Sequence, residues 1–73
     1  MYMIKLGLVA QRRFKKNILT RVISQSGPDH CPTIEVEIEL PNGVIYKGKG
    51  GSKAEAKEKL AKKILQQEFG IED

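Results

Sequence analysis

The stretch TIEVEIELPNGVIYKGKG, residues 33–50, decides the fold. Its first half alternates strictly, with Ile34, Val36, Ile38 and Leu40 on one side and Glu35, Glu37 and Glu39 on the other. That is the pattern of a half-buried strand. The PNG that follows makes a turn, and VIYKGKG continues as a second strand whose Val44 and Tyr46 join the apolar face. The polarity of the faces selects the loop. A two-residue loop at Asn42-Gly43 would set Ile38 against Lys47 and Glu39 against Tyr46, mixing the two faces. A three-residue loop, Pro41 to Gly43, sets Leu40 against Val44, Ile38 against Tyr46, Glu37 against Lys47 and Glu35 against Lys49. The sequence therefore predicts the three-residue loop, with Gly43 at positive φ.

Working outward, ILTRVIS at 18–24 has the β-branched content of a further strand, alternating less cleanly, that would complete a three-stranded antiparallel sheet. SGPDHCP between the two is rich in turn formers. Residues 3–14 place Met3, Leu6, Ala10 and Phe14 at helical spacing, weakened by Gly7 and Val9. Residues 53–69 form a second helix with Ala56, Leu60, Ala61, Ile64 and Leu65 as its apolar stripe. Ser52 and Glu55 supply a capping box, and Glu55–Lys59 and Glu58–Lys62 are favourably ordered pairs four apart. The expected fold is α+β, in the order helix, three strands (18–24, 33–40, 44–50), helix, with both helices on one face of the sheet. Residues 1–73 form one domain, without internal repeat or linker.

With 73 residues, the chain sits near the lower size limit for a single hydrophobic core, so a deep catalytic cleft is not expected. Thirteen Lys and Arg against nine Asp and Glu give a formal charge of +4, which favours a polyanionic partner. There is no membrane span, secretory signal or disulfide framework, and an intracellular location is the default expectation. Cys31 beside His30 offers only two adjacent ligands, too few for a tetrahedral metal site. No cofactor is expected, and no pairing of acid, base and nucleophile suggests catalysis. The sheet face bearing three glutamates and no aromatic residue would repel nucleic acid and offers no stacking platform. Cations collect elsewhere. Arg12, Arg13, Lys15 and Lys16 also complement the C-terminal dipole of the first helix, and Lys59, Lys62 and Lys63 read as ordinary surface charge. Lys53 and Lys57, one turn apart at the amino end of the second helix, sit where the dipole disfavours cations. Beside free helix N–H groups they form a cradle for phosphate, partly offset by Glu55.

The chain resembles the double-stranded RNA-binding domain family. GPDH at 27–30 is similar to the family's loop between the first two strands, GKGGSKAEAK at 48–57 to its glycine-rich lead into a lysine-bearing helix, and LGLVAQRR at 6–13 to its first helix. The resemblance implies sequence-independent binding of duplex RNA by shape. It assigns Gly27, Pro28, Asp29 and His30 to one minor groove, and Gly51, Ser52, Lys53, Ala54 and Lys57 to the phosphates across the intervening major groove. The family's third phosphate-binding lysine is replaced by Ala54, which implies one contact fewer. In the first helix, Gly7 and Leu8 stand where the family has a polar residue and a glutamate. Gln11 and Arg12 are the remaining contacts there.

Those departures support a rival reading. Tyr2, Ile4, Leu8 and Val9 would present apolar surface on the first helix, suited to a protein partner or to homodimerisation, with RNA binding weak or lost. If the chain is part of a larger ribonuclease or RNA deaminase, catalysis lies on another domain. A free-standing protein and a fragment are equally open readings.

Overall fold

The structure is a computed structural model and describes residues 1–71; residues 72 and 73 of the expected domain lie outside the described residues. The elements run α1 (Tyr2–Phe14), β1 (Leu19–Ser26), β2 (Thr33–Glu39), β3 (Ile45–Gly50) and α2 (Lys53–Gln67). The three strands form an antiparallel sheet in the order β1-β2-β3.

The central hairpin has the register that face polarity predicts. Ile38 pairs with Tyr46, Glu37 with Lys47 and Glu35 with Lys49, and Gly43 has φ +91°. Two bonds close the loop: the Leu40 N–H donates to the Val44 carbonyl at 2.9 Å, and the Gly43 N–H donates to the Leu40 carbonyl at 2.9 Å. The Val44 N–H is taken by Asn42 Oδ1 at 3.1 Å, which holds Val44 in the turn; it remains exposed where the apolar face was expected to include it.

β1 starts one residue later than its composition suggests and runs two residues further, because Gln25 and Ser26 pair with Ile34 and Thr33. The register slips between Val22 and Ser24, so Ile23 is an extra residue in the ladder. This bulge is why ILTRVIS alternates imperfectly: Leu19, Arg21 and Ser24 share the glutamate face only because the count is reset at Ile23.

Val36, Ile38 and Leu40 of the hairpin face Leu60, Ala61, Ile64 and Leu65 of α2, and Leu6 of α1 completes the core. α2 rests on β2 and β3, and α1 rests on α2. Glycines permit the close approach of α2 to β3: a Cβ on Gly50 would lie 2.7 Å from the Ala56 amide nitrogen, and one on Gly48 3.2 Å from Leu60 Cβ. The helix layer stops short of β1, whose residues are exposed along their whole length.

The start of α1 is held from outside. Met1 provides no side-chain cap. Instead the Glu58 carboxylate of α2 accepts from the Tyr2 N–H at 2.8 Å and the Met3 N–H at 3.1 Å. The expected Glu58–Lys62 pair is thereby replaced, and Lys62 Nζ lies 5.5 Å from the centre of the Tyr2 ring. The expected Glu55–Lys59 pair is present, at 3.0 Å.

Candidate nucleic-acid interface

The register of the sheet brings two of the three sequence-predicted contact regions together. Ser26 pairs with Thr33, and Ile34 pairs with Gly50. The 27–32 loop and the entry to α2 therefore emerge from the same end of the sheet. In the loop, Gly27 has φ +87°, a conformation that disfavours any side chain. The Pro28 carbonyl accepts from the Cys31 N–H at 2.9 Å, which turns the chain over Asp29 and His30 and leaves both side chains in solvent.

At the start of α2, Ser52 is extended and its Oγ accepts from the Glu55 N–H at 3.1 Å. The return arm of the capping box differs from expectation. Glu55 Oε2 reaches past the N-cap residue and accepts from the Gly51 N–H at 3.1 Å, while Oε1 meets Lys59. Lys59 and then the Gly51 N–H hold the Glu55 carboxyl below its ordinary range. Gly51 and Ser52 thus serve the helix start itself. The amide N–H groups of Lys53 and Ala54 have no acceptor among the described residues, and Lys53 and Lys57 have no carboxylate partner there. Lys53 and Ala54 are exposed and Lys57 is half-buried. The helix end therefore presents two ammoniums and two amide donors.

The third region, α1, is separate. Its C-terminus leads into β1 at the opposite end of the sheet, where Leu19 pairs with Glu39. Gln11 and Arg12 are exposed. Ile4 and Leu8 are 59% and 58% exposed, so the outward apolar surface read from the sequence is present, whereas Tyr2 and Val9 pack against the core. A groove of about 450 Å³ opens between this face and β1, lined by Ile4, Gly7, Leu8, Ile18 and Thr20 among others.

The glutamate face of the sheet carries a cation that sequence reasoning passed over. Arg21 of β1 bonds both Glu37, at 2.6 Å, and Glu39, at 2.7 Å. These two carboxylates, Glu39 foremost, raise the guanidinium above its ordinary range. Arg21 stands opposite Glu37, and two-residue spacing on β1 was the available signal. Lys47 and Lys49, set opposite Glu37 and Glu35, keep no ion pair among the described residues.

Residues 8–68 match the double-stranded RNA binding motif, most of the chain. The chain belongs to this family. Among relatives of the motif, a ribonuclease 3 from Syntrophomonas wolfei is 35% identical over 65 residues, 89% of this chain and 28% of that protein. A ribonuclease 3 from Streptococcus gordonii is 34% identical over 67 residues, 92% of this chain and 29% of that one. The double-stranded RNA-specific editase B2 of Mus musculus is 36% identical over 61 residues, 84% of this chain and 8% of the editase. The motif thus spans under a third of the length of these relatives. Among the described residues no group of three or more His, Cys, Asp or Glu could hold a metal ion, and no helix is long and apolar enough to cross a membrane.

Proposed function

We propose that this domain binds double-stranded RNA by its A-form shape, with little dependence on sequence. The observation that carries the reading is the shared position of the 27–32 loop and the lysine-bearing start of α2 at one end of the sheet, in a chain of this family. A-form RNA has a major groove too narrow for side chains and a wide minor groove lined by 2′-hydroxyls. A rigid domain reads it by touching minor groove and phosphate backbone together, over about 16 base pairs for this class of module. In this chain the loop residues Gly27, Pro28, Asp29 and His30 meet ribose hydroxyls. Lys53, Lys57 and the first-turn amides of α2 hold phosphates of the adjoining groove. Gln11 and Arg12 add contacts from α1, where Gly7 supplies no acceptor and Leu8 is apolar.

The phosphate set is short by one cation because Ala54 occupies the first turn between Lys53 and Glu55. Salt-sensitive binding of moderate strength follows. Titrating the domain with RNA and DNA duplexes of equal length and sequence tests the reading. Tighter binding to RNA is expected, because DNA lacks the 2′-hydroxyl and presents a different groove spacing. Equal affinities would refute recognition of the A-form.

A further inference from the structure

The outward face of α1 carries an apolar stripe that RNA binding does not use. Met1, Ile4 and Leu8 recur at spacings of three and four residues, the a/d repeat of a helix that packs against another helix. They lie opposite the buried Leu6 and Ala10, and Met1, Ile4 and Leu8 are 86%, 59% and 58% exposed. Beside this seam runs the groove lined by Gly7, Ile18 and Thr20, the last from β1, which the helix layer leaves exposed.

Gly7 is the second observation. A glycine inside a helix costs about 1 kcal/mol relative to alanine. Nothing among the described residues requires it: a Cβ there would meet, of those residues, only Asn17 Oδ1, at 3.7 Å, an ordinary contact. The absent side chain instead leaves room on the groove flank of the seam for another backbone to come close.

Charge decides the occupant. The chain carries no acidic residue before Asp29, while Lys5, Arg12, Arg13, Lys15, Lys16 and Arg21 all precede it. Arg12 stands one turn after Leu8, Lys15 continues the line of the seam, and Lys16 follows; these three have no ion pair among the described residues. Packing α1 against the α1 of a second copy in parallel would set Arg12, Lys15 and Lys16 against their own copies, and in either direction α1 offers these cations no carboxylate of its own. A phosphate backbone would satisfy the cations and leave Ile4 and Leu8 against polar surface. We propose that the outward face of α1 and its groove form a docking surface for an acidic amphipathic helix of another protein, with aliphatic residues at its own a and d positions and carboxylates toward Arg12, Lys15 and Lys16. This surface is separate from the loop and α2 contacts, and it meets the α1 contacts to RNA at its edge, in Gln11 and Arg12.

The test uses a synthetic peptide of about two heptads, which matches the roughly 20 Å of α1, with leucine at a and d and glutamate flanking them. A lysine-flanked version of the same peptide is the control. Amide chemical shifts of Ile4, Gly7, Leu8 and Thr20 should move saturably with the acidic peptide, and the lysine version should bind at least about tenfold more weakly, given several charge pairs reversed at the rim. Leu8→Asp and Arg12→Glu, both at exposed positions, should each weaken the acidic peptide about tenfold or more. Gly7→Ala should raise thermal stability while weakening the peptide several-fold, a separation that a purely structural glycine would not produce. Equal binding of both peptides, self-association of the free domain by sedimentation, or undiminished affinity in Gly7→Ala would each overturn the proposal. Duplex RNA alone shifting the side-chain methyl signals of Ile4 and Leu8 as the acidic peptide does would return the surface to RNA binding.

Discussion

Lys15 is a residue held in a conformation its chemistry resists. It ends α1 at φ 60°, ψ 22°, with its N–H on the Gln11 carbonyl at 3.0 Å, and it is the only non-glycine residue at positive φ among those described. The left-handed region costs a side-chain-bearing residue about 1–2 kcal/mol. Two effects work against its replacement: glycine loses more chain entropy on folding, and the cation is worth about 0.3–1 kcal/mol at a helix C-terminus. Relief of strain is the larger effect where the cation is exposed and screened. Lys15→Gly is accordingly expected to raise the melting temperature by a few degrees, from a net gain of about 0.5 kcal/mol. Thermal unfolding monitored by circular dichroism checks it, and a lower melting temperature would show that the charge outweighs the strain. A second residue, Glu58, works across the fold. Its two oxygens cap α1 from α2, so the negative charge sits at the positive end of the α1 dipole. The bonds from Met3 and then Tyr2 hold its carboxyl below the ordinary carboxylate range. A depressed folded pKa contributes stability above the ordinary range and loses it as pH falls through the depressed value. Glu58→Gln should cost about 1 kcal/mol at neutral pH, and the gap from the wild type should close as pH falls below the ordinary carboxylate range. Paired denaturant titrations at neutral and acid pH measure this; a gap that stays constant would mean the charge is not what caps the helix.

At the scale of elements, the glycines of the hairpin divide by what they meet. Gly50 faces the first turn of α2 so closely that a Cβ would overlap the Ala56 backbone, at 2.7 Å from N and 2.9 Å from Cα. Backbone cannot rotate aside, so Gly50→Ala must push α2 off the sheet, at a cost of about 2–3 kcal/mol. Gly43→Ala meets nothing within 4 Å and is strained only by its φ of +91°, so its cost should be about 1 kcal/mol. Comparing the two by urea unfolding checks the ordering, and a smaller loss at Gly50 would mean that α2 is free to shift. Gly48 and Gly50 thus owe their presence first to helix–sheet packing, a reason that a reading of GKGGS as a phosphate-facing loop does not reveal. The hairpin register was legible because face polarity left one loop length, and the buried stripe of α2 was legible because a 3.6-residue period needs no partner to be recognised. The bulge at Ile23 and the cap from Glu58 were not. Each depends on a contact distant in sequence: the bulge appears only once β1 is laid against β2, and Glu58 lies 56 residues from Tyr2. The missing N-cap side chain at Met1 was the trace left in the sequence.

Across the whole molecule, charge is partitioned by surface. The outer sheet face is held near neutrality by Arg21 on Glu37 and Glu39, with Lys47 and Lys49 opposite Glu37 and Glu35. Lys53 and Lys57 at the start of α2, and Arg12, Lys15 and Lys16 at the end of α1, have no carboxylate partner among the described residues. The candidate RNA contacts were legible as residue types, but only the sheet register shows that the loop and α2 share an end while α1 stands apart. Lys53 and Lys57 are the two ammoniums proposed for phosphate. Each phosphate neutralised releases close to one counterion, so the slope of log affinity against log salt counts such contacts. Lys53→Ala with Lys57→Ala should flatten that slope by about two units, one per lost contact, and weaken duplex RNA binding most strongly at low salt. Ala54 provides the opposite experiment. It is exposed in the first turn of α2, beside an amide with no acceptor among the described residues. Ala54→Lys adds a cation where the helix dipole opposes it by a few tenths of a kcal/mol, which lowers stability slightly without touching the core. If the first turn faces phosphate, the same change should steepen the salt slope by about one unit and tighten RNA binding several-fold at low salt. Should the slope stay fixed in both variants while circular dichroism shows an intact fold, phosphate would have to be held elsewhere, and the lysines at the head of α2 would be surface charge alone.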